Sequence, residues 1–201
     1  MIVRPSIGYR PSVPETGDVT RVEVLGEFPP ELLDEAWEFY RAMFTPLVTL
    51  SATRHLMFRQ EFDALVADPR TISYVTRDAG GVTGLAVMTD DLDAVPLISP
   101  PFFEARWPEL YAQRRIIYCV FISAIPGPRG DGVFVDLQRE IYGRMVAPVG
   151  GSVVLDICMY NEERLKLPWA VEGILTQITG GAQATRVDSQ SYWLYEFSAA
   201  S

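Results

Sequence analysis

Histidine and cysteine are nearly missing from this sequence: there is one of the first, His55, and two of the second, Cys119 and Cys158. Two thiols are too few for a disulfide framework. Both lie in apolar strand-like runs and read as buried, inert thiols. A covalent acyl-cysteine is a weaker alternative, because neither has a histidine or basic residue beside it in sequence. Basic runs are also missing. Arg114 and Arg115 form the only adjacent basic pair, and 17 basic against 26 acidic side chains leave a net charge of −9. That sign repels phosphate backbones, which excludes nucleic acid as an expected partner. No apolar run approaches a membrane span: Ile116 to Pro126 contains Ser123 and reaches about half of the required length. The opening MIVRPSIGYRPSVPETGD has no apolar core of the kind a secretory leader carries. A cytoplasmic protein that binds no membrane is expected.

What is present is an ordinary globular composition. The chain has 201 residues, 48% hydrophobic and 21% charged. This excludes a mostly disordered chain and suffices for a core without metal or disulfide staples. Residues 1–19, with Pro5, Pro11 and Pro14, read as an arm lying on the surface of a single domain spanning 20–201.

Hydrophobic period sets the element order. Val22 to Phe28 reads as a strand, and Pro29-Pro30 opens a helix whose apolar stripe is Leu33, Ala36, Tyr40 and Met43. A second helix is predicted from His55 to Ala67, ended by Asp68-Pro69. Thr71 to Thr76 and Val82 to Thr89 form a hairpin around Asp78-Ala79-Gly80-Gly81. The excursion 92–114 is longer than most connections and aromatic, with a short helix expected within Phe102 to Tyr111. It either lines a substrate site or forms a satellite core. Arg115 to Ile125 is a central strand, Val133 to Val146 a helix, and Ser152 to Met159 a second buried strand. A helix within Arg164 to Leu175 and a closing strand, Ser191 to Phe197, complete the chain. The order is that of a mixed α/β sheet with hairpin and right-handed crossover connections.

The chemistry concentrates in Ile125-Pro-Gly-Pro-Arg-Gly-Asp-Gly-Val-Phe134. A strand ends, glycines crowd the turn, and a helix begins at once. Unpaired amides at the positive end of a helix dipole make an anion cradle suited to phosphate. The bland alternative is a tight strand-to-helix turn. The GK[ST] ending of a Walker loop is missing, and the glycine spacing does not match a dinucleotide fingerprint.

On these residues the chain resembles the GNAT N-acyltransferase superfamily, whose pyrophosphate loop follows a strand. In one frame Arg129-Gly130-Asp131-Gly132-Val133-Phe134 matches the loop, with Phe134 where a small residue is usual. In the other, Gly127, Gly130 and Gly132 match and the arginine is lost; the first frame is preferred because it keeps the arginine. The resemblance implies a mixed central sheet with splayed middle strands, flanked by helices. It implies acetyl-CoA or another acyl-CoA as cofactor, with Ile122, Ala124 and Ile125 pairing with the pantetheine amides. The amides of Arg129, Gly130, Asp131, Gly132, Val133 and Phe134 would hold the pyrophosphate. Asn161 matches an asparagine that touches the pantetheine arm. Trp169 falls where a tyrosine protonates the leaving thiolate, a role tryptophan cannot fill.

The implied reaction is attack of a neutral amine on a thioester, with a small-molecule amine or amino acid as acceptor. A base is needed, and the family's central-strand glutamate is missing from Arg115 to Ser123. Asp156 is the candidate base, since burial in an apolar strand would raise its pKa; a structural aspartate is the alternative. Tyr118 is the candidate acid or a core aromatic. His55 reads as a cap or surface residue. The missing glutamate and Trp169 also admit a second reading, a non-catalytic or repurposed domain that binds acyl-CoA or another ligand. No metal site is expected, and a homodimer is an open expectation.

Overall fold

In the computed structural model the described residues are 2–3, 21–96 and 98–197. The remainder of the expected arm over 1–19 lies outside them. Six strands form one sheet: β1 (Ile2–Val3), β2 (Val22–Leu25), β3 (Thr71–Asp78), β4 (Gly81–Thr89), β5 (Ile116–Ala124) and β6 (Ser152–Val154). The order is β1-β5-β4-β3-β2, with β6 also on β5. The expected arm therefore contributes a strand at residues 2–3.

The β3–β4 hairpin closes over Ala79-Gly80, where the Asp78 side chain accepts from the Gly80 amide (2.6 Å) and stabilises the turn. Beyond it, Glu35 Oε1 accepts from the Val82 amide (2.6 Å) and ties the turn to the helix α1 (Pro30–Phe44). That helix starts at the predicted proline. On the same face lies α2 (Arg59–Ala67), which starts four residues after the predicted His55. Glu61 sets the start by accepting from the Phe58 amide (2.7 Å) while pairing with Arg54 (2.6 Å). Tyr40, Phe44, Phe62 and Phe121 meet there with ring centroids 4.6–6.3 Å apart. Each such ring stabilises the fold by about 1.5–3 kcal/mol through burial.

The opposite face carries α5 (Pro128–Ile141), followed directly by a π-helical turn, Tyr142–Val146. Val133, Phe134, Leu137 and Ile141 of α5 pack with Ile117, Cys119 and Ile122 of β5. In the excursion, α3 (Pro100–Arg106) and α4 (Pro108–Ala112) replace the one predicted helix, split at Trp107-Pro108. Phe103, Leu92 and Val95 pack against Ile116 and Tyr118 as a satellite core.

Two predictions at the C-terminal end fail. The strand expected over Ser152 to Met159 stops at Val154, and α6 (Met159–Glu163) takes its end. Its Val153 is exposed rather than buried. The expected closing strand Ser191 to Phe197 is not in the sheet; the segment has no regular secondary structure and is exposed. The helix predicted within 164–175 runs later, as α7 (Leu167–Thr179).

Candidate functional site

A defect in β5 marks the site. Its register against β4 steps from Phe121↔Val87 to Cys119↔Met88, so one extra residue, Val120, is accommodated. A bulge bends its strand and sharpens its twist. Before the bulge, Ile116, Ile117 and Tyr118 pair in parallel with Ser152, Val153 and Val154 of β6. β6 ends at Val154, opposite Tyr118, two residues before the bulge. Along the same edge β1 pairs in parallel with β5, Ile2 with Ile122 and Val3 with Ser123.

Where the pairing ends, Tyr118 Oη donates to Asp156 Oδ1 (3.1 Å). Burial pushes the Tyr118 phenol far above its ordinary value, and the Asp156 charge and hydrogen bond push it further. Asp156 lies past the end of β6 and is exposed, where the expectation had it inside a buried strand. Desolvation by the surrounding chain pushes the carboxyl up. The Tyr118 hydrogen bond and the charges around it, the His55 ring among them, outweigh that, and the carboxyl settles below the ordinary aspartate value. The sequence expectation had the opposite sign: it counted burial and omitted the neighbouring donors and positive charge.

His55 corrects a second expectation. It is neither cap nor surface residue but buried at 7% exposure, in the loop before α2. Ser51 Oγ lies 2.9 Å from His55 Nε2. Tyr40 Oη donates to the His55 carbonyl (2.9 Å) and accepts from the Met57 amide (3.0 Å), clamping the loop. Burial pushes the ring below its ordinary value against the pull of the Asp156 carboxylate. The lack of a nearby periodic signal hid this residue; only the fold of the 50–58 loop brings it towards Asp156.

At the far end of β5, Gly127 precedes α5 with φ +89 and ψ −178, a conformation open essentially to glycine alone. The first bond of the helix runs from the Asp131 amide to the Gly127 carbonyl (3.1 Å). The amides of Arg129 and Gly130 therefore precede the intrahelical ladder, and those of Asp131 to Phe134 lie within it. This narrows the expected six-amide cradle to two. Val133 and Phe134 send their side chains into the core. The Arg129 guanidinium pairs with Asp78, so its charge is committed to the hairpin.

The remaining candidates spread out. Ile122 and Ala124 are buried in β5, with Ile125 just past its end and partly buried. Asn161 is buried in α6. Trp169 is half exposed near the start of α7, with the Lys166 ammonium 5.4 Å above its ring. Cys119 is buried and its thiol is pushed up to about 11 by desolvation, an inert setting. Among the described residues no group of three or more His, Cys, Asp or Glu could hold a metal ion. No described helix is long and apolar enough to cross a membrane.

No protein-family model matches the chain, and no curated protein sequence does. Solved structures do. An aminoglycoside acetyltransferase from an uncultured soil metagenomic sample, in complex with sisomicin, superposes with a TM-score of 0.50 at 9% identity. The match covers 89% of this chain and 98% of that one. A ribosomal-protein-alanine N-acetyltransferase from Brucella melitensis biovar Abortus 2308 gives a TM-score of 0.46 at 16% identity, covering 88% and 99%. At such identities the likeness is one of fold. The architecture, a mixed sheet flanked by helices, is that of the GNAT-like acetyltransferases.

Proposed function

We propose that this protein is an acyl-CoA-dependent N-acyltransferase that transfers an acyl group, acetyl in the simplest case, to a small-molecule amine. The observation that carries the proposal is that β6 stops opposite Tyr118 while β5 runs on to the start of α5, with the Tyr118–Asp156 bond where the pairing ends. An extended ligand laid along this edge of β5, in place of β1, finds backbone partners first and helix-terminal amides last.

The residues fit such a donor in two respects. The Arg129 and Gly130 amides suit a pyrophosphate oxygen. Beside Gly127 and Gly132 a side-chain carbon would meet nothing within 4 Å, so the backbone there is open to approach. Arg129 contributes its amide and not its charge, and β1 must leave Ile122 and Ser123 before an arm can pair there. The donor supplies an activated thioester carbonyl. This chain's residues handle the amine. Asp156, held ionised, attracts a cationic acceptor. His55, whose ring is held below its ordinary value by burial, is the candidate to accept the acceptor's proton. Tyr118 keeps its own proton and orients Asp156.

Trp169 and the position of β1 favour the second reading, a domain that binds acyl-CoA without turnover. Calorimetry with CoA, acetyl-CoA and longer acyl-CoAs, followed by thiol release over an amine panel, tests both. Saturable binding with turnover is the expected result. Binding without turnover on any amine selects the second reading, and absence of binding overturns the proposal.

A further inference from the structure

His55 is gripped separately through its backbone and through its ring. Tyr40 Oη holds the backbone, donating to the His55 carbonyl (2.9 Å) and accepting from the Met57 amide (3.0 Å). Tyr40 is wholly buried, and its ring centroid lies 4.9 Å from that of Phe121, the residue after the bulge in β5. Burial pushes its phenol up to about 12, so the hydroxyl keeps the proton it donates. The ring is held by Ser51, whose Oγ lies 2.9 Å from His55 Nε2. Ser51 is itself fixed from behind. Its amide donates to the carbonyl of Leu47 (3.1 Å), a buried residue in the short helical turn Thr45–Thr49. Both ends of the hydroxyl-to-ring bond are therefore anchored by contacts that do not use the Ser51 hydroxyl.

A neutral imidazole has one N–H and one lone pair, and the bond made by one nitrogen decides which of the two carries the proton. Nε2 faces Ser51, so Nδ1 is the nitrogen left for any other partner. A ring that takes a proton from the acceptor, as in the function proposed above, must present its lone pair there. Resting on that reading, we infer that Ser51 is a positioning residue: its hydroxyl oxygen accepts from Nε2–H, holds the neutral ring as the Nε2–H tautomer, and leaves Nδ1 as the base. The proton of the acceptor ammonium passes to Nδ1, and the amine nitrogen keeps the electron pair with which it attacks. The ring then carries a proton on both nitrogens and is still a donor at Nε2. The Ser51 contact therefore survives the transfer, and the ring need not turn between its two states. The opposite arrangement, with the Ser51 hydroxyl donating to Nε2, would cover the lone pair and would break on protonation.

The chain has one histidine, so nitrogen NMR spectra of the imidazole region show this ring alone. Above the ring's titration, Nε2 is expected to resonate as the protonated nitrogen and Nδ1 as the unprotonated one. Ser51→Ala keeps the Leu47 and Tyr40 anchors, so circular dichroism is expected to be unchanged. The one-sided pattern should be lost in it, both nitrogens moving towards an average, and Ser51→Thr, which keeps a hydroxyl, should restore it. Over the amine panel Ser51→Ala should lower kcat about 2- to 10-fold, the worth of one neutral hydrogen bond, with KM for the amine unchanged. Nδ1–H in the wild-type chain, an unchanged pattern in Ser51→Ala, or a kcat that Ser51→Ala leaves intact overturns the inference. A wild-type chain that binds no acyl-CoA overturns the acyltransfer reading instead, and the spectra, which need no acyl-CoA, still decide whether Ser51 sets the tautomer.

Discussion

Gly130 and Gly132 are two residues apart in one helix, yet they answer to different demands, and a pair of alanine substitutions separates them. A Cβ on Gly130 would lie 1.6 Å from the Ile125 carbonyl oxygen and 2.6 Å from its carbon. An ordinary contact starts near 3.4 Å, so strand end and helix start must separate by about 1.8 Å. No rotamer change relieves a clash between backbone atoms, which puts Gly130→Ala at the upper end of overpacking costs, about 3 kcal/mol. The better helix propensity of alanine offsets up to about 1 kcal/mol of that. At Gly132 a Cβ meets nothing within 4 Å, so Gly132→Ala keeps the propensity gain without the clash. The two variants should differ by about 3 kcal/mol, which for a chain of this size is roughly 6–12 °C in Tm. Thermal and urea unfolding followed by tryptophan fluorescence reads this directly. Equal melting temperatures for the two would refute the assignment of Gly130 to close packing against Ile125. Under the proposed function Gly132→Val leaves the melt near wild type and weakens CoA binding, because it fills the open side of the helix start.

Three further outcomes follow from the site. Asp156→Asn should abolish turnover while leaving CoA affinity intact; full turnover would remove Asp156 from the chemistry. His55 holds a pKa below its unfolded value, so its contribution to stability is complete above about pH 6.5 and falls away as pH drops towards the folded pKa. Its ring gives the one histidine signal in the NMR spectrum, and a folded pKa at or above 6.5 would contradict the buried setting; His55→Gln should flatten the stability profile in that window. Removing residues 1–3 should tighten acetyl-CoA binding in calorimetry by vacating the edge at Ile122 and Ser123, and unchanged affinity would show that β1 does not compete.

Period and punctuation made much of the fold legible in the sequence. The proline start of α1, the β3–β4 hairpin, the buried β5 and the glycine-rich entry to α5 all follow from local preferences that the fold agrees with. The glycine-rich segment marked a strand-to-helix transition, but α5 starts at Pro128, five residues before the expected Val133, so Gly130 and Gly132 lie inside the helix. Three matters were decided only by tertiary structure. The bulge at Val120 depends on how β5 sits against β4. The low pKa of Asp156 depends on a donor from β5 and a charge from the His55 loop, neither adjacent to it in sequence. Arg129 matched a loop motif by position, yet Asp78 takes its charge across the hairpin. Local sequence sets backbone preference within a few residues; proton affinity and ion pairing are set by whatever distant chain comes within a few ångströms.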